Sequence, residues 1–264
     1  DKVKYVPLTA QQRFTALQSG EIDLLSRNTT WNSKRDTTMG SVFPGVWFYD
    51  GQAFVINSKK NPKVKKLADL NKASICVETG TTTERNMADY ARANKLTFKP
   101  VVFEGQEATE KAFQSGRCDA YTTDSSGIAA MLVNLPNKGD YTVLPEIISK
   151  EPLAPMLRRN DQEFFAIARW MIYALQQAEE SGVTQANVLR MKAESKDPAV
   201  QRLTGATAEV GKGLGLDADW AVRALQAVGN YGESYERNIK PLGLVRGMNA
   251  LWNKGGLMYP MPLD

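Results

Sequence analysis

The stretch Ile75-Cys76-Val77-Glu78-Thr79-Gly80-Thr81-Thr82-Thr83-Glu84-Arg85-Asn86 decides how the chain is read. A short apolar run leads into a Gly- and Thr-rich turn, and a helix follows through Met87-Ala88-Asp89-Tyr90-Ala91. Strand, small-residue turn and helix start leave backbone N–H groups unpaired, and with the helix dipole these form an anion site. Three threonine hydroxyls stand at the same place. No lysine follows the glycine as a phosphate loop requires, so the turn suits a carboxylate or another small anion. The competing reading is that Thr81, Thr82 and Thr83 only cap the helix.

Outward from this stretch, strands and helices alternate. Toward the C-terminus the pattern predicts a strand over 99–103, a helix over 106–114, a strand over 118–123, a helix over 125–133 and a strand over 141–144. Toward the N-terminus, Val3-Lys4-Tyr5-Val6 reads as a strand. Thr9 caps a helix over 10–19 with Phe14 and Leu17 inward, Gly20 closes it, and Ile22-Asp23-Leu24-Leu25-Ser26 is a second strand. Such βαβ units give a parallel sheet. Residues 27–38 read as a polar loop. Residues 46–56 are extended and broken at Asp50-Gly51, as in a strand that leaves one sheet for another. Beyond Leu157 the pattern turns helical, with helices over 164–180, 184–192 and 218–228 and a loop at Gly211-Lys212-Gly213-Leu214-Gly215.

An internal repeat links the two α/β blocks. In each copy a helix ends at Gln-Ser-Gly (Gln18-Ser19-Gly20 and Gln114-Ser115-Gly116), two residues intervene, and Asp23 or Asp119 opens a strand. Five residues beyond each Asp stands a polar residue, Asn28 or Asp124. Equivalent polar groups at the carboxyl ends of equivalent strands place a site in the cleft between two lobes, where open α/β sheets bind ligands. A zwitterion there needs a cation and an anion. Arg35 offers a guanidinium fork for a carboxylate, and Asp124 an acceptor for an ammonium. The alternatives are a surface ion pair of Arg35 with Asp36 or Asp50, and Asp124 as an N-cap.

Composition narrows the function. The chain has 264 residues, a net charge of +4 and no histidine, so metal-dependent and Ser-His chemistry lack their usual parts. No metal site and no cofactor is expected. The basic run Lys59-Lys60-Asn61-Pro62-Lys63-Val64-Lys65-Lys66 carries no interleaved aromatics, which argues against nucleic acid. No apolar run reaches membrane-span length. The only cysteines, Cys76 and Cys118, lie at matching ends of two predicted strands. They are either a disulfide, which points to an oxidising compartment, or two buried thiols.

These motifs together resemble the periplasmic amino-acid-binding proteins of ABC transporters, in the general L-amino-acid-binding branch. The carriers are Asp23-Leu24-Leu25-Ser26-Arg27-Asn28-Thr29-Thr30 with Arg35, Gly80-Thr81-Thr82-Thr83, and Asp119-Ala120-Tyr121-Thr122-Thr123-Asp124. The tail segments Val228-Gly229-Asn230-Tyr231-Gly232-Glu233 and Arg246-Gly247-Met248-Asn249-Ala250-Leu251-Trp252 complete them. The resemblance spans essentially the whole chain. It implies an α/β, two-lobed periplasmic-binding-protein fold of type II, with two crossing strands and a helical C-terminal extension. Lobe 1 would be residues 1–52 and 153–264, and lobe 2 residues 53–152. Asn28, Thr30, Arg35, Thr81, Thr82, Thr83 and Asp124 would bind a free L-amino acid, with Arg35 and the 81–83 turn on its carboxylate and Asp124 and the Asn28 backbone on its ammonium. Delivery to an inner-membrane permease, removal of a signal peptide and a periplasmic location follow from the same likeness. The family normally has a strand and helix ahead of Val3, so a truncated form or a strand-exchanged dimer is expected. An enzyme on this scaffold, such as a dehydratase acting on a small carboxylic acid, is the alternative function, and a ligand-sensing module is a third.

Overall fold

The computed structural model describes residues 3–206 and 209–263; the outermost ends of the expected lobe 1, residues 1, 2 and 264, lie outside them. The chain divides into two compact units, Asp1–Ser41 with Phe48–Arg158, and Val42–Trp47 with Arg159–Asp264.

In the first unit the elements run α1 (Gln12–Ser19), β1 (Leu24–Leu25), α2 (Ser33–Thr38), the start of β2 (Ser41–Val42), β3 (Phe48–Asp50), β4 (Gln52–Asn57), β5 (Ser74–Glu78), α3 (Thr82–Ala93), β6 (Lys99–Phe103), α4 (Gln106–Gln114), β7 (Ala120–Asp124), α5 (Ser125–Val133), β8 (Tyr141–Val143), β9 (Glu151–Leu153) and β10 (Met156–Arg158). Five strands form a mixed sheet in the order β6-β5-β7-β4-β8. The central strand-turn-helix gives β5 and α3, with β5 parallel to both β6 and β7. β4 runs antiparallel to β7 and β8.

Period-two alternation assigns the two faces of this sheet. Ala53, Val55, Cys76 and Tyr121 pack with Phe113, Ile128 and Met131 on one side. Phe54, Ile56, Ile75, Val77 and Ala120 pack with Leu67, Leu70, Met87 and Leu144 on the other. The cysteines are bonded, with Cα atoms 5.6 Å apart; the free-thiol alternative is excluded.

The extended stretch over 46–56 is broken where expected. β3 pairs antiparallel with β9, Phe48 opposite Leu153 and Asp50 opposite Glu151, and after Gly51 the chain enters the five-stranded sheet as β4. These are the two crossing strands.

The N-terminal expectations need correction. Residues 3–6 form no strand, and Val3 and Tyr5 are 77% and 86% exposed. Their alternation has nothing to pair with or pack on, so no βαβ unit forms there. β1 has only two residues and lies antiparallel to β10, with Leu24 opposite Leu157. The helix starts at Gln12, although the Thr9 hydroxyl does accept from Gln12 N–H at 3.2 Å. The polar segment over 27–38 contains α2, because Asn32 caps Arg35 N–H at 3.0 Å; a helix without an apolar stripe leaves no periodic signal. The repeat holds at its two helix ends. Gly20 and Gly116 both take the left-handed conformation, at φ 81° and 86°, that stops α1 and α4.

The second unit is helical: α6 (Gln162–Glu180), α7 (Val188–Glu194), α8 (Pro198–Leu203), α9 (Glu209–Gly213), α10 (Trp220–Val228) and α11 (Tyr231–Asn238). Asp161 caps α6, accepting from Phe164 N–H at 2.9 Å, and α6 buries Ile172, Ala174, Leu175 and Ala178. The glycine run over 211–215, expected as a loop, is partly α9. Glycine is required in that helix because a Cβ on Gly211 would sit 2.4 Å from the Asp217 carbonyl oxygen. Arg246 grips Glu179 with both terminal nitrogens at 2.9 and 3.0 Å, which ties the tail to α6.

Candidate ligand site

The repeat brings its two marked residues together. Asn28, five residues past Asp23, lies beyond β1, and Asp124 ends β7. The Asn28 side-chain amide donates to Asp124 at 2.8 Å. Asp124 sits at the N-cap position of α5 but makes no side-chain cap bond, so the capping alternative fails. Burial pushes its carboxyl up to about 7, with Asp50 and Glu151 adding to the rise and Asn28 and Arg13 opposing it.

Around this pair lies a cavity of ≈ 10 Å³, lined by Asn28, Asp124, Arg13, Arg27, Glu78 and the 81–83 turn among others. That is room for a single water. The turn behaves partly as a cap. Thr81 accepts from Glu84 N–H at 3.1 Å, and Glu84 accepts in return from Gly80 N–H at 3.1 Å. Gly80 has φ 72°, which suits the sharp turn between β5 and α3. Thr82 and Thr83 are buried. The Thr82 hydroxyl donates to Glu151 at 3.0 Å, and the Thr83 hydroxyl shares a 2.7 Å bond with Thr81.

Thr30 joins this network, lying 3.3 Å from the Thr82 hydroxyl and donating to Glu151. Arg35 does not line the cavity. It is 5% exposed, donates to the Thr30 carbonyl at 2.9 Å and has its guanidinium 4.9 Å from the Phe14 ring centre. Burial lowers it to about 10, with Glu151 opposing the shift, so it stays charged at neutral pH. The surface ion-pair alternative for Arg35 is therefore not what the structure shows.

Sequence reasoning passed over Arg13 and Glu151. Arg13 lies on the buried face of α1 with Ala16 and Leu17; an arginine at an i, i+3, i+4 apolar position was the available signal. Glu151, on crossing strand β9, is 1% exposed and gave no signal. It accepts from Thr30, Thr82, Asn86 at 2.8 Å and Ser149 at 2.5 Å. One carboxylate thus joins the 28–30 loop, the start of α3 and the crossing strand. Glu151→Gln places an amide donor among four donors and is expected to cost about 2 kcal/mol; urea unfolding checks this, and an unchanged midpoint would sink the assignment.

Among the described residues no cluster of His, Cys, Asp and Glu could hold a metal, and no helix is long and apolar enough to cross a membrane.

With this geometry in place, comparison with known proteins supplies the family. The chain is 51% identical over 267 residues to the general L-amino acid-binding periplasmic protein AapJ of Rhizobium johnstonii, covering 99% of this chain and 77% of the relative. It is 50% identical over 264 residues to the glutamate/glutamine/aspartate/asparagine-binding protein BztA of Rhodobacter capsulatus, covering 99% and 78%. A solved periplasmic binding protein of an ABC transporter from Brucella ovis, with glutathione bound, is 54% identical with a TM-score of 0.96, covering 100% of this chain and 83% of that one. No family model matches. The α/β fold is that of the periplasmic binding proteins. The chain belongs to the periplasmic amino-acid-binding proteins of ABC transporters.

Proposed function

We propose that this chain captures a free L-amino acid between the 28–35 segment and the carboxyl end of the five-stranded sheet, and hands it unchanged to an ABC permease in the inner membrane. The observation that carries this is the Asn28–Asp124 contact, in which an amide N–H₂ sits where a ligand ammonium would sit. The relatives are named as solute-binding transport proteins, which favours binding over the dehydratase reading.

In the proposed clamp Asp124 and the Asn28 backbone take the ammonium. Arg35 and the 81–83 turn, with Thr30 beside them, take the carboxylate. A cavity of ≈ 10 Å³ is far smaller than an amino acid, so entry requires a hinge opening. Lobes of residues 1–52 with 153–264, and of 53–152, would turn on β3 and β9. Supporting this, the five-stranded sheet falls inside the second lobe except for Gln52, the first residue of β4, and the paired strands β3 and β9 fall at its edges.

Isothermal titration with a panel of L-amino acids, repeated on Arg35→Ala and Asp124→Ala, tests the reading. Saturable heat without turnover is expected in the parent chain, with a loss of at least about 2 kcal/mol of binding energy in each variant. Steady heat from turnover would restore the enzyme reading, and unchanged affinity in either variant would remove that residue from the clamp.

A further inference from the structure

We propose that Arg13 is a ligand-binding residue, the guanidinium that receives a second carboxylate, so that the site favours ligands carrying one ammonium and two carboxylates. This rests on the clamp above and deepens it. Arg13 is 3% exposed and lines the cavity. Its acceptors are neutral: the Asn28 carbonyl and the Thr29 hydroxyl, both 3.2 Å from one terminal nitrogen. Its Nε is buried without a hydrogen-bond partner, and a buried charge with an unsatisfied donor is costly.

The other charged groups lining the cavity have assignments. Arg27 reaches Glu78 at 3.5 Å, and Glu78 also accepts from Ala10 N–H at 3.2 Å. Asp124 is taken by Asn28 in this structure and by the ligand ammonium in the clamp. Arg35, outside the cavity lining, serves the α-carboxylate. Once the ligand ammonium faces Asp124 in the clamp, Arg13 is the cavity-lining charge among the described residues left with neutral hydrogen-bond partners alone. Both Arg13 and Arg35 lie 4.9 Å from the Phe14 ring centre, so a single aromatic positions the two guanidiniums. A neutral amino acid leaves Arg13 as it is. An acidic one supplies the carboxylate that a guanidinium binds in a fork.

Arg13 could instead only fix the 28–29 loop, and the test separates these roles. Glutamate and glutamine, which differ in one charged group, are titrated at pH 8 into the parent chain, Arg13→Gln and Arg13→Lys, with thermal unfolding confirming that each variant is folded. The parent is expected to bind glutamate at least about tenfold more tightly than glutamine. Arg13→Gln should erase that preference, lowering glutamate affinity at least about tenfold more than glutamine affinity, and Arg13→Lys should retain part of it. Equal losses for both ligands in Arg13→Gln, or no preference in the parent, overturns the proposal while leaving the clamp standing. Absence of binding by any amino acid overturns the clamp itself, and this inference with it.

Discussion

Affinity for an L-amino acid is expected to climb as the pH is raised from 5 toward 7, by roughly tenfold per pH unit, and then to level off. The cause is Asp124. In the ligand-free chain, burial beside Asp50 and Glu151 holds its carboxyl at about 7, so below neutrality it carries a proton. A ligand ammonium at the Asn28 position favours the carboxylate, so binding expels that proton. Calorimetry at pH 6 in two buffers of different ionisation enthalpy should register close to one proton released. Asp124→Asn should bind weakly with a flat pH profile. A parent chain whose affinity does not change between pH 5 and pH 7 would show that Asp124 does not face the ammonium.

The same group acts on stability in the opposite sense. Its ordinary value is 3.8 and its folded value about 7, so between these the folded chain holds a proton that the unfolded chain has lost. Its contribution to stability therefore declines as the pH rises through this window, by on the order of 4 kcal/mol in all. Above about 7 the full cost is present, and below about 3.8 none of it. Asp124→Asn should remove this part of the pH dependence in urea unfolding.

Loss of the Cys76–Cys118 bond is expected to lower the unfolding free energy by about 4 kcal/mol and the melting temperature by roughly 10 °C. The bond closes a loop of 42 residues that holds β5, α3, β6 and α4, so it restricts the unfolded chain over much of the sheet. Both sulfurs are shielded, with Cys76 at 0% and Cys118 at 5% exposure, as suits a structural bond in an oxidising compartment. Melting of the parent with and without reductant, beside Cys76→Ala/Cys118→Ala, measures the effect. A midpoint indifferent to reductant and equal in the double variant would mean that the bond contributes nothing to stability.

Much of this molecule is written in local pattern. Strands β4 to β7 and helices α3 to α5 follow from apolar alternation, small-residue turns and cap residues, because neighbours in sequence impose those signals. The Gln-Ser-Gly repeat goes further: counting from its two aspartates points to Asn28 and Asp124, and the fold joins them at 2.8 Å. Three things were decided only in three dimensions. Residues 3–6 have a strand's alternation and no strand, since a strand exists only with a partner. Arg13 and Glu151 became part of the site because helix α1 and crossing strand β9 bring them against the 28–30 loop, at separations of 15 and 121 residues from Asn28 and Thr30. The shift of Asp124 to about 7 has the same origin: residue type sets the ordinary value, but the burial and the charges that displace it come from segments far apart in the chain.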